Sequence, residues 1–295
     1  MISFHRVTLD DKDYVKKQIS SREHISCEYG FGNIFTYNSV IDIYIADVEG
    51  CLVTKCGYPN FDYYCFPIGF GDKSAAAKAV VEEAERVGKK AYFFGMTEED
   101  KNTLENLFPG KFQIEANRDS FDYVYSSSDL INLMGKKYQP KRNHISFFKR
   151  NLNWKYERIT KESIPECLAM SEKWLTESKS EYTDDLEREI KIIRCAFENY
   201  DELGYVGGLI RVDGEVIAYA MGEELSKDTF CTHIEKAYSD IRGAYAMINQ
   251  QFAENELSGY DFINREDDVG AQNLRKAKLS YAPNYLFEKY ETRIN

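Results

Sequence analysis

The chain has 295 residues, 43% of them hydrophobic and 14% aromatic, which is enough apolar material for a folded core and excludes a disordered chain. Its formal net charge of −11 argues against a protein that coats nucleic acid nonspecifically. No apolar run reaches the roughly 18 residues of a membrane-spanning helix. Because the first residues lack an apolar core and the seven cysteines are scattered, we expect a cytoplasmic protein without a signal peptide or a metal site.

The first half of the chain is predicted to form strands, then a helix, a strand, a helix and further strands. Runs of β-branched and aromatic residues predict strands at 40–48, 51–56, 61–66 and 90–96. Asp72 is placed to cap a helix that ends at Gly88, and Thr97 is placed to cap the next one. These signals predict a mixed sheet with helices packed against it.

The second half repeats this order of elements. Strands are predicted at 205–212, 215–224, 228–237 and 260–264, with helices between and around them. The repetition predicts an α/β (α+β) fold of two tandem domains, each a mixed central sheet flanked by helices. We place the domains at 1–135 and 136–295, with the join near 126–143, and expect the second domain to carry the functional site.

The segment 136–158 is strongly basic. It holds eight lysines and arginines and one glutamate, a local charge of +7 in an acidic protein. Such a segment can hold phosphates while the rest of the chain repels polyanions, so Lys141, Arg142 and Asn143 are candidate donor- or phosphate-binding residues. The alternative is a solvated helix face whose lysines serve solubility.

The strand TFCTHIEKA places polar residues where a central strand is expected to be apolar. Side chains alternate along a strand, so we expect Cys231, His233 and Glu235 to share one face. An imidazole beside a carboxylate is suited to general-base catalysis, which makes His233 and Glu235 the candidate catalytic residues. The alternative is a hydrogen-bonded structural pair at a sheet edge.

Two further segments carry candidate binding residues. The first is a turn that opens a helix, where free N–H groups favour an anion. It contributes Arg242, Gly243 and Tyr245 as phosphate-binding candidates, and Asn249, one turn further on, as a candidate for binding the acceptor. The alternatives there are a packing glycine and a core aromatic residue.

The second segment is the polar end of the predicted strand at 260–264. A strand end that precedes a helix can line a ligand crevice. Its candidates for binding an acceptor are Asn264, Arg265, Glu266 and Asp267. The alternative is that Asp267 or its neighbour caps the next helix.

Four segments together resemble a bacterial family related to the C-terminal domain of phosphatidylglycerol lysyltransferases. They are SCEYGFGNIF, FDYVYSSSDLINLMGKKYQPKRNHISFF, HIEKAYSDIRGAYAMINQQF and FINREDDVGAQNLRKAKLSY. The resemblance implies tandem GNAT-like domains, as in the Fem aminoacyltransferases, and a donor that is aminoacyl-tRNA or acyl-CoA. Where GNAT enzymes bind CoA through Arg/Gln-x-x-Gly-x-Gly/Ala, this chain has Asp240 at the first position and Tyr245 at the last.

Two functions follow from these observations. The first is an acyltransferase that moves an aminoacyl or acyl group to an amine or hydroxyl of a small-molecule acceptor, with tRNA held by the basic segment. The second is a non-catalytic ligand-binding or regulatory module on a degenerate GNAT scaffold, which the departures at Asp240 and Tyr245 favour.

Overall fold

The structure, a computed structural model, describes residues 1–23, 26–177 and 184–293. Its contacts group the chain into two compact units. Unit 1 comprises Met1–Asp122, Asp267–Gln272 and Leu286–Asn295, and unit 2 comprises Tyr123–Glu266 and Asn273–Tyr285. The domain ranges 1–135 and 136–295 drawn from the sequence remain a prediction.

Strands and helices are interspersed along the described chain. The strands are β1 (His5–Arg6), β2 (Ile43–Val48), β3 (Cys51–Gly57), β4 (Phe61–Cys65), β5 (Ile68–Gly69), β6 (Lys90–Phe94), β7 (Ile114–Ala116), β8 (Asp122–Ser126), β9 (Trp154–Arg158), β10 (Val206–Val212), β11 (Glu215–Glu224), β12 (Thr229–Ala237), β13 (Phe262–Asn264), β14 (Tyr285–Phe287) and β15 (Tyr290–Thr292). The helices are α1 (Lys12–Ile19), α2 (Phe31–Tyr37), α3 (Lys73–Arg86), α4 (Glu98–Leu107), α5 (Ser127–Asn132), α6 (Gln139–Asn151), α7 (Ile164–Glu177), α8 (Asp184–Glu198), α9 (Tyr200–Leu203), α10 (Ala244–Glu256) and α11 (Gln272–Leu279). None of the helices in the described ranges is both long enough and apolar enough to span a bilayer.

Unit 1 is built on a six-stranded sheet in the order β1-β2-β3-β4-β6, with β5 paired to β3. The pair β4–β6 is parallel and the β2–β3–β4 meander is antiparallel, so the sheet is mixed as predicted. Helix α3 begins where expected, because the Ala75 N–H donates to the Asp72 carboxylate at 2.9 Å. Its apolar side buries Ala76 and Val80 in a core shared with the strands.

Unit 2 is built on a seven-stranded sheet in the order β14-β8-β13-β12-β11-β10-β9. The sheet is mixed, because β12 and β13 run parallel, with Phe230 beside Ile263, whereas β12 and β11 run antiparallel. On one face Phe230 packs against Phe252 of α10, and on the other the Tyr219 hydroxyl lies 2.7 Å from that of Ser171 in α7. Helices therefore cover both faces, which confirms the predicted layering. Helices α5 and α6 occupy the segment where the sequence placed the join.

Candidate functional site

Strand β12 of unit 2 contains an irregularity that changes which side chains share a face. Met221 of β11 pairs with Ile234, but the next residue, Gly222, pairs with Thr232, so the register skips His233. One extra residue reverses the alternation along a strand. The prediction that His233 and Glu235 share a face is therefore wrong: Glu235 contacts α10, whereas His233 lies on the α7 face with Cys231.

His233 is held between two carboxylates. Its Nδ1 lies 2.7 Å from Glu266 Oε1, and its Nε2 lies 3.2 Å from Glu223 Oε1. The imidazole ring also packs against Tyr205, with 5.6 Å between ring centroids. The His233 side chain is 4% exposed and that of Glu223 is 1% exposed, so these contacts lie in the interior of unit 2.

The surroundings of His233 favour its charged form. Burial lowers the pKa, but the charges of Cys231 and Tyr205 and the hydrogen bonds to Cys231 and Glu223 outweigh burial and raise the pKa well above 6.5. A charged imidazole with both nitrogens directed at carboxylates has no lone pair for another proton. The predicted catalytic role of His233 remains untested, and these contacts are not those of a free general base.

Glu235 forms a second polar group on the opposite face of β12. Its Oε1 accepts from Arg265 Nη2 at 2.8 Å, and its Oε2 accepts from Asn249 Nδ2 at 3.1 Å. The Arg265 guanidinium lies over the rings of Tyr125 and Tyr281, at 5.5 and 4.9 Å from their centroids. Sheet and helix thus bring together three of the predicted residues, Glu235, Asn249 and Arg265.

Lys141 of α6 joins this group through the same aromatic ring. Its Nζ lies 3.8 Å from the centroid of the Tyr281 ring, which Arg265 also contacts. Burial, helped by the nearby Arg265 charge and opposed by Glu235, lowers the pKa of Lys141 to about 8. A sizeable fraction of Lys141 is therefore neutral slightly above neutral pH.

Two buried atoms of this group have no hydrogen-bond partner within the described part of the chain. They are the Arg265 donor Nη1 and the Asn249 acceptor Oδ1. Buried polar groups in folded proteins are nearly always paired, so an unpaired donor and an unpaired acceptor around one carboxylate call for a bound partner. We call Lys141, Glu235, Asn249, Arg265 and Tyr281 the unit 2 site.

Arg142 and Asn143, although close in sequence to Lys141, lie outside this site. Arg142 donates to the carbonyl oxygens of Leu133 and Gly135 and to the Gln139 side chain. Asn143 is exposed and accepts from Gln139. Arg142 therefore stabilises the connection between α5 and α6, whereas the Asn143 contact lies within α6.

The turn before α10 is closed by helix α6. A Cβ at Gly243 would lie 2.7 Å from the His144 carbonyl oxygen, so this residue, with φ of +94°, permits close helix packing. Arg242 is exposed and its guanidinium lies 4.4 Å from the Phe147 ring centroid. Tyr245 keeps 38% of its surface exposed, and burial of its hydroxyl raises its pKa. The packing interpretation of the glycine fits these contacts.

The remaining predicted residues shape the chain after β13. Asn264 Oδ1 accepts from the Glu266 N–H at 2.8 Å, and Asp267 Oδ1 accepts from the Val269 N–H at 3.3 Å. Asp267 belongs to unit 1, whereas Asn264, Arg265 and Glu266 belong to unit 2. Asp267 therefore makes a local turn contact, whereas its alternative interpretation predicted a cap on the next helix, α11, which begins at Gln272.

Sequence patterns did not indicate Glu223 or the two tyrosines around Arg265. Tyr125 and Tyr281 resemble core aromatics, and only their contacts with Arg265 and Lys141 distinguish them. Glu223 directly follows the apolar run of β11 and is 1% exposed, and a carboxylate next to such a run is a signal that could have been noticed.

The chain is similar in sequence to one described family and to several known proteins. Residues 20–292 match the family described as phosphatidylglycerol lysyltransferase, C-terminal. A solved protein of unknown function from Bacteroides thetaiotaomicron VPI-5482 is 34% identical, with 100% of both chains covered and a TM-score of 0.94. An uncharacterized protein of Mycoplasmoides gallisepticum is 25% identical over 62% of this chain, which spans 60% of that relative's length.

More distant structures share the fold. L-PGS from Bacillus licheniformis is 15% identical, with 97% of this chain and 92% of that chain covered and a TM-score of 0.67. A tandem GNAT protein from the clavulanic acid biosynthesis pathway is 6% identical, with 99% and 98% covered and a TM-score of 0.51. The predicted resemblance and the tandem GNAT-like fold are confirmed.

Proposed function

Because the chain belongs to the family of phosphatidylglycerol lysyltransferase C-terminal domains, we propose that it transfers an aminoacyl group from aminoacyl-tRNA to an amine or hydroxyl of a small-molecule acceptor. Family and fold together point to a GNAT-like acyltransferase domain. The choice of an aminoacyl donor rests on the contacts of the unit 2 site.

The observation that carries the proposal is the pair of unpartnered atoms beside Glu235. An aminoacyl ester presents an ammonium group and a carbonyl oxygen a few bonds apart. Glu235 and Asn249 Oδ1 are acceptors suited to the ammonium, and Arg265 Nη1 is a donor suited to the carbonyl oxygen. An unsubstituted acyl group would leave the Asn249 acceptor buried and unpaired.

Arg265 supplies the charge stabilisation in this scheme. As the acceptor nucleophile attacks the carbonyl carbon, negative charge develops on the carbonyl oxygen. A buried guanidinium that is already held by Glu235 stabilises that charge without reorganising. The ion pair with Glu235 and the two tyrosine rings keep the guanidinium in place.

Lys141 acts as the general base and then as the general acid in this scheme. In its neutral form it takes one proton from the attacking amine or hydroxyl, and as an ammonium it gives that proton to the leaving ester oxygen. One bond forms between the nucleophile and the carbonyl carbon, and the bond from that carbon to the leaving oxygen breaks. A lysine whose pKa is about 8 can serve in both steps near neutral pH.

The turn at Gly243 supports an aminoacyl-tRNA rather than an acyl-CoA. In GNAT enzymes the corresponding strand–helix turn meets the CoA pyrophosphate, whereas here the His144 carbonyl oxygen lies against the glycine. A carbonyl oxygen repels phosphate oxygens. Helix α6, which covers the turn, has Lys149 and Arg150 exposed at the surface, and these positive charges support contact with an RNA backbone.

The same closed turn favours a second function, a binding module that has lost turnover. In that case aminoacyl-tRNA or a free amino acid would bind at Glu235 and Asn249 without transfer. The two functions differ in whether a labelled aminoacyl group leaves the tRNA and appears on an acceptor.

A label-transfer assay tests the proposal. The protein is incubated with tRNA charged with labelled amino acids and with a panel of amine and hydroxyl acceptors, and acyl-CoAs serve as alternative donors. We expect transfer from charged tRNA that Arg265→Gln abolishes and Arg194→Gln, a change on the surface of α8, preserves. Binding of charged tRNA without transfer would support the module, and transfer from acyl-CoA alone would overturn the donor assignment.

A further inference from the structure

A second polar cluster in unit 2 lies on the α7 face of β12, away from the contacts of Glu235. We propose that Cys231, His233 and Glu266 bind a transition metal ion of the zinc type, with Glu223 orienting the imidazole. No sequence motif indicates this site, because Glu266 lies 33 residues from His233 and only the β12–β13 pairing brings the two together.

The spacing of the three ligand atoms suits one ion. Cys231 Sγ, His233 Nδ1 and one Glu266 carboxylate oxygen all lie within 4.8 Å of one another. The Sγ–Nδ1 distance is 3.6 Å. Tetrahedral zinc with bonds of about 2.3 Å to sulfur and about 2.0 Å to nitrogen separates the two atoms by about 3.5 Å. The 2.7 Å between His233 Nδ1 and Glu266 Oε1 is a hydrogen-bond distance, so binding of the ion requires the Glu266 carboxylate to move away from Nδ1.

The types of ligand also point to zinc. One thiolate, one imidazole and one carboxylate form a mixed sulfur, nitrogen and oxygen set, which disfavours magnesium and calcium because both prefer oxygen ligands. Three protein ligands leave a fourth position open. Cys231 is fully buried, whereas the Glu266 side chain is 22% exposed and marks the side from which an ion enters.

Glu223 completes the arrangement behind the histidine. Metal-binding histidines usually donate their second ring N–H to a carboxylate, which fixes the ring and its tautomer. His233 Nε2 lies 3.2 Å from the buried Glu223 Oε1, while Nδ1 faces the proposed ion. In the metal-bound form this contact keeps the remaining ring proton on Nε2 and leaves the Nδ1 lone pair for the ion.

A cluster of similar composition in unit 1 already contains a cation. Cys27, Glu28 and Asp122 also bring ligand atoms within 4.8 Å. There, however, the Lys289 ammonium lies 2.7 Å from Asp122 Oδ1 and 2.6 Å from Glu28 Oε1. An ammonium already occupies that cluster, so we expect it to bind no metal.

The ion would also act on the unit 2 site through the backbone. Glu266 follows Arg265 directly and has a left-handed φ of 56°, which a residue with a side chain adopts at a cost. An ion coordinated by Glu266 and by the two β12 ligands restrains the segment that carries Arg265. In this scheme Cys231, His233 and Glu266 are positioning residues.

Cobalt titration tests the metal site without turnover. The full chain is stripped with a chelator and titrated with Co²⁺ alone. We expect one equivalent to bind, with the strong visible absorption of four-coordinate Co²⁺ and a near-ultraviolet thiolate-to-cobalt band that Zn²⁺ removes. Cys231→Ser should abolish the thiolate band, and Glu223→Gln should weaken binding about 10–100-fold.

The unit 1 cluster provides the matched control. Cys27→Ser should leave the cobalt spectrum and stoichiometry of the chain unchanged. If Cys231→Ser does not fold, Glu266→Gln at the more exposed edge replaces it and should lower the affinity. Absence of binding to the folded wild type, or a spectrum that neither Cys231→Ser nor Glu266→Gln alters, overturns the metal site. Since Lys141 and Asn249 are not ligands, either result leaves the transfer proposal standing.

Discussion

Each unit contains a lysine with a shifted pKa, but the two lysines are surrounded differently. Lys289 in unit 1 contacts Asp122 and Glu28, and although burial opposes its charge, the anions around it raise its pKa well above 10.5. Lys141 in unit 2 lies against the Tyr281 ring near Arg265, and its pKa falls to about 8. The Lys289 ammonium contacts two carboxylates, whereas Lys141 lies against an aromatic ring and close to a second cation.

The difference separates a structural group from a functional one. A buried cation that is fully paired with anions links the chain segments that carry those anions. A ligand that entered such a cluster would find no unpaired group to bind. An underpaired group lowers stability until a ligand completes it, and this is where shifted pKa values and unsatisfied atoms mark a site. Four substitutions test this contrast, beginning with the one of largest expected effect.

Lys289→Met should destabilise the protein by about 3–5 kcal/mol, because it leaves Asp122 buried without its counter-charge. The loss should be present at neutral pH, since a raised lysine pKa stabilises the fold fully below 10.5 and loses that contribution only as pH rises through the folded value. Urea unfolding measures it. A loss below about 1 kcal/mol would mean that Lys289 is not the anchor of this cluster.

Arg265→Gln should lower kcat about 10²–10³-fold, because the charge that stabilises the developing oxyanion is lost. Steady-state transfer from charged tRNA measures it, with Arg194→Gln as the control. Since Arg265→Gln also leaves the Glu235 carboxylate without its counter-charge, urea unfolding of the variant separates a loss of folding from a loss of catalysis. If the folded variant kept full activity, Arg265 would not contribute to the chemistry.

Lys141 gives the site a pH signature. If its neutral form takes the proton, kcat/KM rises with pH through about 8, and Lys141→Met lowers activity on the order of 10²-fold and removes this rise. A lysine that only bound donor phosphate would show the reverse, a fall in kcat/KM above about pH 8 that Lys141→Arg prevents. The groups facing Lys141 are Arg265, Glu235 and Tyr281.

Asn249→Leu should have the smallest effect, about a tenfold rise in KM for the aminoacyl donor with kcat little changed. The substitution removes one acceptor for the donor's ammonium group. A tenfold effect is typical of the loss of one hydrogen bond to a charged group. Donor titrations in the transfer assay measure it. An unchanged KM would remove Asn249 from donor recognition.

Sequence patterns predicted the elements well where local signals were strong. The caps at Asp72 and Thr97 and the alternating strands of both halves appear as expected. The helices α5 and α6 were missed as elements because polar residues, Gly135 and Pro140 resemble a linker. Proline at the second position of α6 is compatible with a helix start, since its missing N–H would be unpaired there anyway.

The site was only partly predictable, for a structural reason. Residue types alone suggested Lys141, Glu235, Asn249 and Arg265, and the fold brings these four around Tyr281. The bulge at His233 could not be inferred, because it depends on how β12 pairs with β11 rather than on a local pattern. That single extra residue divides one expected site into two clusters on opposite faces of a strand.

The central claim is that Glu235 and Asn249 recognise the amino group of the donor. Calorimetric binding of an amide-linked aminoacyl-adenosine, which cannot be transferred, tests it most directly. We predict that the free-amino compound binds at least about tenfold more tightly than its N-acetylated form. We also predict that Asn249→Leu reduces this difference in affinity. Equal affinity for the two compounds would contradict this claim.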